Sequence, residues 1–170
     1  MKDSNMFRMI FILLIGFSIM GLTACSNSET VVVSKPFPSL QKKGAIAVFA
    51  FENYTDTPQA GKRAANLMEG LLNAKGYDTV REIGISKASL VQKRILAKEY
   101  HARFLLVGGV SEWRYKTGID GEPAVSLAVK LLDVQSGSVL WSATGSDNSW
   151  GNASIGTTAQ TLLAQMINRP

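Results

Sequence analysis

The chain has 170 residues, with 18 Lys/Arg against 13 Asp/Glu, one histidine, one cysteine and a formal net charge of +5. No basic run exceeds two residues (Lys42-Lys43, Lys62-Arg63, Lys93-Arg94) and aromatics do not alternate with them, so there is no nucleic-acid footprint. Cys25, standing alone, rules out an internal disulfide, a thiolate metal site and a Cys-x-x-Cys redox pair, which leaves packing or assembly to stabilise the fold.

The first element is a leader. Lys2 and Arg8 flank the start of an apolar run from Met9 to Gly21, followed by Leu22-Thr23-Ala24-Cys25. The run is short of the roughly 20 residues a transmembrane helix needs and fits a signal-peptide core. Thr23 and Ala24 are small enough for a signal peptidase groove, and Cys25 offers the thiol that takes a diacylglycerol. The expected organisation is a lipoprotein signal over 1–24, a lipidated Cys25 with a tether to residue 44, and a single domain over 45–170. Cleavage removes Lys2, Arg8 and Asp3, which leaves 146 residues at a net charge of +4. That length buries a real core. Ser26 stands where an aspartate tends to retain bacterial lipoproteins in the inner membrane, so the outer membrane is favoured. Fully extended, a tether of about 19 residues reaches roughly 60 Å. Its Val31-Val32-Val33 run is able to add a strand.

Ala45 to Phe51 reads as a buried strand and Glu52 to Pro58 as a loop. Thr57 is expected to cap the next helix, with Pro58 at its first position. Ala60, Ala64, Leu67, Met68, Leu71 and Leu72 step by threes and fours, and Gly76 ends that helix. Asp78 to Glu82 is a short strand. Ser86 is expected to cap a second helix running to about Tyr100, with Ala88, Val91 and Ile95 on its inner stripe. Phe104 to Val110 is another buried strand, continuing through Trp113. Val125, Leu127, Val129 and Leu131 then alternate with Ser126, Ala128 and Lys130 at period two. Asp133 to Gly137 is a hairpin turn, and Val139, Trp141 and Ala143 continue on the paired strand. Ile155, Thr158, Ala159, Leu162, Leu163 and Met166 mark a last helix, with no further domain expected after it. The order β-α-β-α-β-β-β-α predicts an α/β fold: a mixed sheet with helices packed on it.

Candidate catalytic groups are scarce. His101, the only histidine, lies just past a helix, where a structural or surface role is expected. No serine sits in Gly-x-Ser-x-Gly, and Gly61-Lys62 lacks the earlier glycine of a phosphate loop. Gly108-Gly109 falls within a strand pattern, where close packing of a neighbour is the better reading. Asp120 and Glu122 share one turn, by default a solvated loop. The expectation is a protein that is not an enzyme and has no metal or cofactor. Trp150, in the polar loop Asp147 to Asn152, either packs over a helix end or dips into lipid headgroups, where tryptophan is favoured. Trp113 and Trp141 fall on strands as packing residues.

Several segments resemble one family. Val110 to Pro123 (VSEWRYKTGIDGEP) is similar to PelC, the lipoprotein family of Pel exopolysaccharide export. Leu132 to Ser142 (LDVQSGSVLWS), Ser149-Trp150-Gly151 and the stretch Ala45 to Asp56 add to the match, which covers nearly the whole mature domain. The strand-turn-strand around Asp133 is shared more widely with CsgG-like and TolB amino-terminal-like domains. The resemblance implies a TolB amino-terminal-like fold and a homododecameric ring under the outer membrane, facing the periplasm. It also implies a PelB-like porin partner and a cationic amino-sugar polymer as cargo. A lumen of repeated carboxylates would concentrate such a polycation. Asp120 and Glu122, then Glu112, are the acidic lumen candidates, and Trp150 is the membrane-contact candidate beside the lipid on Cys25. The alternative is an LpoB-like lipoprotein regulator of a peptidoglycan synthase, whose relatives carry a long disordered tether. A CsgG-like channel needs membrane hairpins for which this chain has no room.

Overall fold

The computed structural model describes residues 28–40, 43–82, 88–117, 121–149 and 153–170. Cys25, Ser86, Asp120 and Trp150 lie outside the described residues. Among the described residues seven strands are formed: β1 (Ser28–Val33), β2 (Ile46–Phe49), β3 (Glu52–Asn53), β4 (Thr79–Glu82), β5 (Phe104–Tyr115), β6 (Pro123–Asp133) and β7 (Val139–Asn148). Three helices accompany them: α1 (Ala60–Ala74), α2 (Leu90–Glu99) and α3 (Ile155–Asn168). The strand order is β1-β7-β6-β5-β2-β4, with β3 beside β5. β2 runs parallel to β4 and β5, while β5, β6, β7 and β1 are successively antiparallel. This is the mixed α/β sheet expected.

Two strands lie outside the expected order. β3 occupies part of the Glu52–Pro58 loop. β1 lies in the expected tether and pairs with β7 along its whole length, from Ser28↔Asn148 to Val33↔Ala143. The chain that follows β1 is also packed down. The Phe37 ring meets Trp141 and Tyr77 edge-on at 4.9 and 5.5 Å, Tyr77 Oη donates to the Pro38 carbonyl at 3.1 Å, and Leu40 is buried.

Alternation along the central strands builds two cores. Ile46 and Val48 of β2 join Leu106, Val110, Leu127, Trp141 and the inner stripes of α1 and α3. Ala47 and Phe49 point the other way, to a smaller core with Leu105, Leu132, Val134 and Ala97 of α2. Going from β2 through α1 to β4 steps outward, and α2 returns past β2 to β5. Right-handed crossovers in opposite directions place their helices on opposite faces.

Helix α2 differs from its sequence reading in phase. Ala88 is buried as expected, but Val91 and Ile95 are 65% and 53% exposed, and Lys93 and Ala97 face the sheet instead. The cause is polar. Lys93 Nζ reaches Glu52 Oε1 at 2.6 Å, and the Arg94 guanidinium donates to the carbonyls of Val134 and Gln135 at 2.9–3.2 Å. These contacts fix the helix's rotation, and the aliphatic pair is turned outward. The N-cap is Ser89, in a capping box with Gln92. His101 follows α2 in a left-handed conformation (φ 56°), and its N–H donates to the Lys98 carbonyl, a structural helix-end role. The start of α1 also differs. Its N-cap is Gln59, at φ 61° with no side-chain cap, because the Thr57 hydroxyl donates to the Trp113 carbonyl at 2.5 Å.

Gly108 and Gly109 serve close packing. A Cβ at Gly108 would lie 2.7 Å from the Ala128 carbonyl oxygen and 2.9 Å from the Phe51 ring, and one at Gly109 would lie 2.8 Å from Tyr54. Gly108→Ala is therefore expected to cost roughly 1–3 kcal/mol through overpacking. The measurement is urea unfolding, where the midpoint falls at constant slope; an unchanged midpoint would contradict the packing described.

Candidate functional site

One rung of the sheet organises the candidate residues. Ser28 of β1 pairs with Asn148 of β7, Asn148 with Ala124 of β6, and Ala124 with Arg114 of β5. At about 4.8 Å per strand spacing this rung is roughly 15 Å wide. Cys25 is three residues along the chain from Ser28, and Trp150 is two from Asn148. The β5–β6 connection that carries Asp120 and Glu122 starts just past Tyr115↔Pro123, the next rung. The chain positions expected to matter thus leave the sheet at one end, from adjacent strands.

At this end each described candidate carboxylate has a cation. Glu112 Oε1 lies 2.9 Å from Arg114 Nη2, two positions along the strand and therefore on the same face. Glu122 Oε2 lies 3.7 Å from Lys116 Nζ, and the Lys116 N–H donates to the Glu122 carbonyl at 2.7 Å, closing the base of the connection. Residues 112–122 hold three acidic groups (Glu112, Asp120, Glu122) and two basic ones (Arg114, Lys116), a net charge of −1. The two described acids are matched, and Asp120 is the sequence's remaining charge.

Beside the strand lies an open cleft of about 480 Å³ lined by Tyr54 to Thr57, Ser111 to Arg114 and Ser126. Sequence reasoning left its Tyr54–Asp56 wall as plain loop. That loop is held in shape by one side chain. Asn53 Oδ1 accepts from the Thr55 amide and hydroxyl at 3.1 and 2.8 Å, and Asn53 Nδ2 donates to the Thr57 carbonyl at 2.9 Å. The structure thereby puts Asp56 and the 73%-exposed Tyr54 ring in the same cleft as Glu112. At the helix side, Ser154 caps α3, and the Ile155 N–H donates to Tyr115 Oη at 3.2 Å, tying the last helix to the end of β5. Among the described residues no cluster of three metal-ligating side chains occurs.

Asp147 was also missed. It continues the inward alternation of Trp141, Ala143 and Gly145, so period two already placed a carboxylate inside. It stands directly opposite Glu29 of β1. Burial, then the Glu29 charge, push the Asp147 carboxyl above its ordinary value, against hydrogen bonding from Ser149. Glu29 itself accepts from Gln165 Nε2 at 2.6 Å and lies 4.0 Å from Arg169, both at the end of α3. A carboxyl raised in the folded state costs nothing below its unfolded value of 3.8, and destabilises as pH rises through the folded value. Asp147→Asn should therefore melt higher than the unaltered chain at about pH 7, with the gap closing near about pH 3; a gap independent of pH would contradict this assignment.

A PelC dodecamer from Paraburkholderia phytofirmans, crystallised in space group P6, is 37% identical and superposes with a TM-score of 0.73, covering 82% of this chain and 94% of that one. A single-residue variant of that dodecamer, in space group C2, gives 39% identity, the same TM-score and 95% of its chain. The chain belongs to the PelC family. A lipoprotein from Neisseria meningitidis shares the fold at 19% identity and a TM-score of 0.59, over 74% of this chain and 96% of its own. No family model matches the chain, and no curated protein sequence does.

Proposed function

We propose that this PelC-family chain is a lipid-anchored export protein of the outer membrane, facing the periplasm. Copies assemble as a ring beside a PelB-like porin and guide a cationic exopolysaccharide toward it. The observation that carries this reading is similarity, over 82% of this chain and 94–95% of theirs, to PelC proteins that are dodecamers. Anchoring rests on Cys25, which follows the apolar run Met9 to Gly21 and the small residues Thr23 and Ala24.

The register supports a domain held close to the lipid. From Cys25 only Ser26 and Asn27 intervene before β1 begins. Three residue steps span at most about 10 Å, far less than a wall-crossing regulator of the LpoB type uses. The same end of the sheet gives rise to the Trp150 loop, so Trp150 is positioned in the chain to enter the headgroup region beside the anchor. Twelve anchors and twelve tryptophans would bind by avidity where one chain alone is marginal. The connection carrying Asp120 leaves that end too. With Glu112 and Glu122 balanced by Arg114 and Lys116, Asp120 carries the excess negative charge that a polycation would meet, and a ring repeats it around the lumen.

Asp120→Lys is expected to reduce polysaccharide export with the ring intact, measured as secreted polymer per cell. Glu112→Gln should have a smaller effect, since it alters a pair rather than the excess charge. Normal export by the Asp120→Lys strain would exclude the electrostatic guide. Trp150→Ala combined with Cys25→Ser should release more protein from membrane fractions than Cys25→Ser alone; equal release would count against headgroup contact.

A further inference from the structure

Among the described residues most exposed large apolar side chains cluster around α2, with Val32 of β1 and Tyr115 of β5 lying away from it. Neither α1 nor α3 exposes a large apolar side chain, whereas α2 exposes Leu90, Val91 and Ile95, and Tyr100 caps its end at 43% exposure. Beside α2 runs an open groove of about 630 Å³, in which exposed Tyr54 and Val139 join Leu90. Its floor is small-residue sheet, Gly108, Gly109 and Ala128. Val91 and Ile95 are one turn apart, so they form a continuous ridge on the outer surface of the helix. The ridge is not a loosely held segment turned out by chance. Lys93, 4% exposed and paired with Glu52, and Arg94, bound to the Val134 and Gln135 carbonyls, set the helix in this rotation.

We infer that α2 and its groove are the seam at which a second copy of this chain packs, an inference that rests on the ring reading above. The PelC relatives are dodecamers in two different space groups, so their association does not depend on one lattice. A closed ring joins unlike surfaces head to tail, and each subunit must present one patch that a neighbour's different surface covers. Interface centres are apolar and poor in charge. The Val91–Ile95 ridge and the Leu90, Tyr54 and Val139 part of the groove meet that description, with Glu52, Lys93 and Lys130 along the groove wall, while helices α1 and α3 expose no large apolar side chain.

The test uses the full chain extracted from membranes in mild detergent, sized by chromatography with light scattering. The double variant Val91→Asp with Ile95→Asp is expected to reduce the oligomeric fraction at least tenfold. Circular dichroism should stay unchanged, because both side chains are solvent-facing within the subunit, while Tm falls only by what association contributes. Val91→Ser with Ile95→Ser is a milder second variant if the charged one misfolds, and should weaken the oligomer in the same direction. Asn66→Asp on exposed α1 should leave it intact. A high-mass oligomer that survives both double variants overturns the seam and leaves the ring standing. The same intact oligomer with failed export overturns it too, and gives the face to a different partner. A monomeric unaltered chain removes the ring and the seam with it.

Discussion

The antiparallel pairing of β1 with β7 is the constraint on which the reading of this molecule depends. It takes the chain that begins three residues after Cys25 and makes it the edge strand of the sheet. The six residue pairs from Ser28↔Asn148 to Val33↔Ala143 hold it there, and Val31 and Val33 pack against the main core. Without that pairing the residues between Cys25 and β2 would form a long segment outside the sheet. With it, the approach from Cys25, the approach to Trp150 and the β5–β6 connection leave adjacent strands at one end of the sheet. The pairing also contains its own weak point. Glu29 and Asp147 face each other, and like charges opposed across strands are unfavourable. Gln165 and Arg169 at the end of α3 offset the Glu29 side of that repulsion, so the last helix helps hold the first strand.

Charge is used differently on the two faces of the sheet. The face covered by α1 and α3 is closed by hydrocarbon, with Met68, Leu72, Leu162 and Leu163 fully buried. The other face is closed by one short helix set by a buried ammonium and a guanidinium. A buried ion pair is not in itself a strong source of stability, because desolvation offsets much of the attraction. Its consequence here is orientation: the pair decides which residues of α2 are left for the outside. At the end of the sheet where β5 connects to β6, the matched pairs Glu112–Arg114 and Glu122–Lys116 are solvent-accessible and contribute about 0–1 kcal/mol each. They shape the local field more than they stabilise the fold.

Features with local causes were legible in the sequence. The period-two strands β6 and β7, the stripes of α1 and α3, and the turn at Asp133 are of this kind. In that turn Asp133 accepts from the Ser136 N–H at 2.8 Å, which holds its carboxyl below the ordinary value, and Gly137 takes a positive φ. Gly108-Gly109 was legible as a site of close approach, though not what approaches. Features set by distant partners were not. The Val31-Val32-Val33 run becomes a strand only because β7 offers an edge more than a hundred residues later. The phase of α2 depends on Glu52, and the loss of Thr57 as a cap depends on the Trp113 carbonyl. Of the candidate site, Glu112 and Glu122 are named from the sequence alone, but their pairing with Arg114 and Lys116 depends on the folded strand and turn. Asp147 was hidden because a carboxylate on an inward position conflicts with the hydrophobic pattern used to find strands.

The central claim is that this PelC-family chain works as a membrane-apposed assembly of lipidated copies. Native mass spectrometry of the full chain released from membranes reads subunit number and lipid together. The account predicts one closed species of twelve subunits, each carrying a diacylglycerol-type mass on Cys25. An unlipidated or monomeric species as the main form would contradict it.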